Sequence, residues 1–194
     1  MTEFAFVAPI LILLFVAIAD FGRVFTAGIL LDAAARDGAE VAAFEYLRQP
    51  PGPLVDPAPS PPDAAYYDDI HLKAARTVCA EMRDLPNTTS SGADCAPLPA
   101  IQVCIHDGQD PSCAQSPFPG GPAPPAECTL LTSPPTNAQE PPFGNKQRWV
   151  EVRVCYHFTM ILHVPWVPLG DVWLQRTRTF VIPCYFALGY GDCG

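Results

Sequence analysis

The chain has 194 residues, enough for one membrane helix and one globular unit of ordinary size. Its net charge of −9 argues against a nucleic-acid partner, which would need clustered Lys and Arg to hold phosphates. The charge is uneven: residues 49–147 carry eleven acids against four bases and 20 of the 24 prolines, so the middle of the chain is acidic and solvated, whereas residues 148–194 are close to neutral.

The first stretch is the most apolar. From Phe4 to Ala19 no side chain is charged or hydrogen-bonding, and beyond Asp20 and Arg23 the apolar character resumes at Ile29, Leu30 and Leu31. About 20 apolar residues cross a bilayer core, so this segment spans one only if Asp20 and Arg23 sit near an interface. Ala17-Ile18-Ala19 has the small-residue form of a signal-peptide cleavage site, but no basic residue precedes the apolar run. A retained helix is the better reading.

One helix is expected from Phe4 to about Arg48, with Pro9 in its early turns as a source of a kink. After Phe25 the pattern turns amphipathic, with Asp32, Arg36 and Glu40 at i, i+4 spacing on the wet side. The small residues Gly22, Ala27 and Gly28 are expected to mark close approaches between neighbouring helices. A helix of about 45 residues is roughly 68 Å long, more than a bilayer needs, so its second half must pack on something.

Residues 49–62 form a Pro-rich linker, expected to be extended. Ser60-Pro61-Pro62-Asp63 has the form of a helix start, and the helix that follows should run to about Arg83, burying Ile70, Ala74, Val78 and Met82. A short strand is expected over Ile101–His106. Residues 107–147 read as loop. Trp149 to Met160 is the clearest strand, with Val150, Val152, Val154, Tyr156, Phe158 and Met160 on one face. Val172 to Ile182 is its partner, stopped by Pro183. The fold class is α+β: a long N-terminal helix (1–48), the linker, and residues 63–194 as an extracellular unit of a second helix and a small antiparallel sheet.

All eight cysteines lie after residue 78, none in a C-x-x-C pair and none at zinc-site spacing from a histidine. They read as four disulfides formed in an oxidising compartment. Cys113–Cys128 and Cys184–Cys193 are expected as sequence-local pairs, and Cys79–Cys95 and Cys104–Cys155 as the remaining two.

Nothing in the sequence supports catalysis or a cofactor. His71, His106, His157 and His163 are scattered, and Asp107-Gly108-Gln109-Asp110 reads as a plain turn rather than a calcium loop. Asn87-Thr88-Thr89 fits the N-glycosylation pattern, a possible modification at Asn87.

Thr2-Glu3-Phe4-Ala5-Phe6-Val7-Ala8-Pro9, the apolar run after it, Asp20-Phe21-Gly22-Arg23 and the Ala-rich continuation resemble the TadE-like family, the pilin-like subunits of tight-adherence (Tad) pili. The resemblance implies a filament for adhesion whose main partner is the chain itself, with the helix in the bacterial inner membrane before assembly. It also implies a precursor cut after a glycine by a prepilin peptidase, and handling by a pilus assembly machinery. The pilin glutamate is usually the fifth mature residue and here is the third, so the mature N-terminus is not placed by the resemblance. In a dry filament core Glu3 would need a cation, and the α-amino group of Met1, its own or a neighbour's, is the nearest candidate. The other classes weighed are a tethered binding module that never polymerises and a minor, initiating pilin.

Overall fold

The computed structural model describes residues 2–48, 64–85, 88, 95, 99–106, 113–131, 149–161 and 171–182, with the backbone alone for residues 2–6 and 171. Helix α1 is Thr2–Arg48 and runs through Pro9; α2 is Ala64–Met82. Strands β1 (Ala100–His106), β2 (Cys113–Ala114), β3 (Trp149–Thr159) and β4 (Asp171–Val181) form one antiparallel sheet in the order β2-β1-β3-β4.

The alternation in β3 decides the layering. Val150, Val152, Val154, Tyr156 and Phe158 point to one face and are buried. The register adds Ile101, Val103 and Ile105 of β1 to that face. On the other side of this core lie α2, through Ile70, Ala74, Val78 and Met82, and the second half of α1, through Ala27, Leu31, Ala34, Ala35, Ala39, Ala42 and Tyr46. That α1 spacing is the three-and-four repeat of a helix buried on one stripe. Its side chains are mostly alanine, so the helix axis lies close to its neighbours. Gly38 is the tightest point: a Cβ there would stand 2.6 Å from Val78 Cγ2 and 3.6 Å from Val152 Cγ1.

Polar contacts tie the layers at their edges. Lys73 Nζ on α2 bridges Glu45 of α1 and Asp69, 2.8 Å from each; hydrogen bonds to Asp69 and Glu45 hold its ammonium pKa above the ordinary value. Arg178 of β4 meets Asp32 of α1 at 2.6 Å. Both pairs are solvent-accessible, where ion pairs contribute little net stability. Their role is to set how α1 lies across α2 and β4.

The outer face of the sheet differs from expectation. Residues 113–131, expected as loop stapled by Cys113 and Cys128, form a strap across it that those cysteines tie to β1 and β3 rather than to each other. Gln102 of β1 holds the strap with both ends of its amide: Nε2 donates to the Thr129 carbonyl at 3.2 Å and Oε1 accepts from the Leu131 amide. Arg153 of β3 donates to the carbonyls of Thr129 and Leu130, each at 3.0 Å, and Gln175 of β4 accepts from the Thr129 amide at 3.0 Å. Phe118, within the strap, is buried. Gly120, at φ +70°, supplies the left-handed turn beyond it. Every residue of β1 is consequently buried.

Among the described residues the disulfides are Cys79–Cys95, Cys104–Cys113 and Cys128–Cys155. Cys79–Cys95 is the pairing expected. Cys113–Cys128 and Cys104–Cys155 are not formed. Cys113 is the direct cross-strand partner of Cys104 in the β1–β2 ladder, with 4.0 Å between Cα atoms. Cys155 lies opposite Ala100 and Cys104 opposite Glu151, so Cys104 and Cys155 are four residues apart along the strands. That is about 13 Å, beyond the reach of a disulfide. Cys155 instead anchors the strap through Cys128. Cys184, Cys193, Ser60, residues 49–62 and residues 107–110 lie outside the described residues.

Gly38→Val should destabilise the globular part by roughly 2 kcal/mol, because a side chain must enter a gap already closed by Val78. Thermal unfolding of the full chain in detergent should show Tm lowered by about 4–8 °C; an unchanged Tm would place the α1–α2 contact elsewhere.

Candidate functional site: the N-terminal helix

Helix α1 changes character at Asp20. Ile10, Leu11, Ile12, Leu13, Leu14 and Phe15 are six consecutive exposed residues, which no helix packed along one side can show. This part of α1 therefore stands clear of the globular part. From Asp20 onward one side of the helix is committed to the core.

Asp20 makes the junction. Its carboxylate is buried, and Oδ1 accepts from the Ile161 backbone amide at 3.1 Å, just past the end of β3. The same oxygen accepts from Arg23 Nη1 at 3.0 Å. The Arg23 guanidinium lies 5.1 Å from the centre of the Phe158 ring, in cation–π contact. Burial pushes the neighbouring Tyr156 phenol pKa above its ordinary value, and the Arg23 charge offsets part of that rise. Asp20 and Arg23 thus form one local unit holding α1 to the end of the sheet. The 18 residues from Thr2 to Ala19 reach about 27 Å, close to the hydrocarbon thickness of a bilayer.

Past Asp20 the helix has two sides. Ala27 and Leu31 are buried against the chain's own core, with Val24 packed on it. Phe21, Phe25 and Ile29, at i, i+4, i+8, are exposed, Phe21 by 74%. Of the small residues expected to face other helices, Ala27 is turned inward and Gly28 is half-buried, with Arg176 Nη2 of β4 3.8 Å from where its Cβ would be. Gly22 alone faces outward, with nothing within 4 Å of a Cβ. The sequence signal for this division was present in the three-and-four spacing of Asp20, Ala27, Leu31 and Ala34, but composition masked it, since both sides are apolar. Pro9 is exposed on the free segment. Glu3 lies in the first turns of α1, with its side chain outside the described part, and Met1 and Asn87 also fall outside the described residues.

Residues 1–40 match the TadE-like protein family model. The match ends inside α1, so it covers the free segment, the Asp20–Arg23 junction and the first turns of the packed half. That match suggests a pilin-like protein associated with Tad pili. No curated protein and no solved structure matches the chain.

The three described histidines sit in structural settings, and His163 lies outside the described residues. His106 is buried, 3.3 Å from Glu151 Oε2 and 4.8 Å from the Trp149 ring; His157 lies against Trp173 and His71 against Tyr67. Among the described residues, no three His, Cys, Asp or Glu side chains converge as a metal site would require.

Asp20→Ala removes the acceptor for the Ile161 amide and the partner of Arg23. It should cost roughly 1–3 kcal/mol and speed hydrogen exchange at the Ile161 amide, while Asp20→Asn, which keeps an acceptor oxygen, should cost less. Equal exchange at Ile161 in wild type and Asp20→Ala would remove the junction from the account.

Proposed function

We propose that the chain is a structural pilin-like subunit, held in the bacterial inner membrane by residues 2–19 and polymerised into an extracellular Tad-type filament for adhesion. In this reading residues 1–48 are the membrane and filament-core helix, residues 49–62 a linker, and residues 63–194 the extracellular unit. The observation that carries it is the apolar row Phe21, Phe25 and Ile29. An anchor needs apolar surface only within the hydrocarbon, and residues 2–19 supply about that length. Phe21, Phe25 and Ile29 lie beyond it, beside the globular part, and stay in water until another helix covers them. Aromatic and aliphatic side chains exposed in this way are worth roughly 1.5–3 kcal/mol each when fully buried.

The disulfides support a life outside the cytoplasm, because such bonds persist in oxidising compartments. By the resemblance, the prepilin peptidase and the pilus assembly machinery act on the chain before and during assembly. Glu3 pairs with an α-amino group, its own or that of a neighbour, as the helices leave lipid and enter a dry core.

Negative-stain microscopy of material sheared from cells making the chain should show filaments. Glu3→Ala should lower filament yield about tenfold, as expected for loss of about 1.4 kcal/mol at a docking step, with the globular part folded as in wild type. Wild-type chain recovered only as membrane-bound monomer would favour the tethered module instead, and full assembly by Glu3→Ala would remove the charge pair.

A further inference from the structure

Beside the exposed row on α1 lies a groove of about 410 Å³, floored by Gly22, Thr26 and Leu30 and walled by Leu85, Phe158, Asp84 and Arg23. We infer that this groove receives the Phe21–Phe25–Ile29 ridge of a second copy, so that subunits join head-to-tail by a ridge-and-groove contact along α1. The inference rests on the polymerising role proposed above and says which surfaces meet.

Three observations point to a second copy as the occupant. The first is shape. The ridge is large side chains four residues apart, and the groove floor is the adjacent row, opened by a glycine that has nothing within 4 Å of its Cβ position. Rows of this spacing interdigitate when helices pack.

The second is direction. Rows 21/25/29 and 22/26/30 are one residue apart, so they point about 100° from each other round the helix. A ridge and a groove on different faces make a heterologous contact, which builds rings or open helices rather than two-fold dimers. For the ridge of one copy to enter the groove of the next, successive parallel copies must turn by about 80°, always in the same sense. Ala27 and Leu31, which face the chain's own core, lie nearly opposite the line midway between ridge and groove. The turning copies therefore gather their free helix faces at the centre and carry the globular parts outside.

The third is charge. Arg176 flanks the ridge on the Gly28 side, and Asp84, highly exposed and 3.8 Å from Arg83, stands on the rim of the groove, where the nearby Arg23 is already paired with Asp20. The same parallel arrangement brings Arg176 of one copy to the Asp84 side of the next, so opposite charges meet at the rim, where they serve register more than affinity.

The test uses filaments of the full chain carrying a benzophenone amino acid in place of Phe25. Irradiation followed by mass spectrometry should give adducts between position 25 of one copy and Leu30 or Leu85 of another. Filaments whose adducts join position 25 to the ridge of another copy, or to lipid alone, would overturn the ridge-and-groove contact and leave polymerisation standing. If the wild-type chain forms no filaments at all, the proposed function and this inference fall together. As a second arm, Gly22→Leu plugs the groove at a position where the fold has room. It should cut filament yield about tenfold or more with Tm unchanged, and unaltered yield would likewise overturn the contact.

Discussion

The buried carboxylate of Asp20 is the constraint on which the arrangement depends. It accepts from the Ile161 amide at the end of β3 and from Arg23 three residues on, and so fixes the level along α1 at which the globular part begins. Without a partner, a carboxylate at that depth would cost several kcal/mol; with two, it becomes the point at which a continuous helix passes from free to packed. The charge-free segment from Phe4 to Ala19 lies before it, and the alanine stripe that fills the core lies after it. One helix thus serves two environments with no break in its backbone.

The globular part is built to make that division rigid. Alanines and Gly38 let α1 approach α2 and β3 closely, so the helix is held along more than 20 residues rather than at a single hinge. The sheet is covered on one face by helices and on the other by the 113–131 strap. Two of the disulfides act on the strap: Cys104–Cys113 fixes where it leaves the sheet, and Cys128–Cys155 fixes it over β3. In a stretch so rich in Pro, Gly and Ser, the covalent links and the amides of Gln102 and Gln175 add to the few apolar contacts, those of Phe118 and Leu131, that the strap makes.

Much of this was legible in the sequence because periodicity carries physical meaning. The alternation from Val150 to Phe158 can satisfy only a strand with one buried face, and the spacing of Ile70, Ala74, Val78 and Met82 only a helix with one buried stripe. The strap was not legible, because Gln102, Arg153 and Gln175 act through isolated side-chain hydrogen bonds to backbone that leave no repeating pattern. Cys79–Cys95 forms as expected, but the two pairings Cys113–Cys128 and Cys104–Cys155 were misassigned because a repeat-free stretch gives no register. Cys113–Cys128 was expected although Cys104 is nearer to Cys113, 9 residues away; pairing is decided by strand register, which sets Cys104 beside Cys113 and leaves Cys155 for Cys128. On α1 the apolar stretch was plain, but which side served the chain's own core was not, since Ala27 and Leu31 are as apolar as Phe25 and Ile29.

The central claim is that the chain's own fold uses one side of α1 and leaves the other for further copies. A cryo-electron-microscopy reconstruction of native filaments tests it most directly. The account predicts residues 7–19 enclosed among parallel helices, Phe21, Phe25 and Ile29 in contact with a neighbouring α1, and Ala27 and Leu31 still facing their own sheet. A reconstruction in which subunits meet through the sheet and strap, with Phe21 and Phe25 open to solvent, would contradict it.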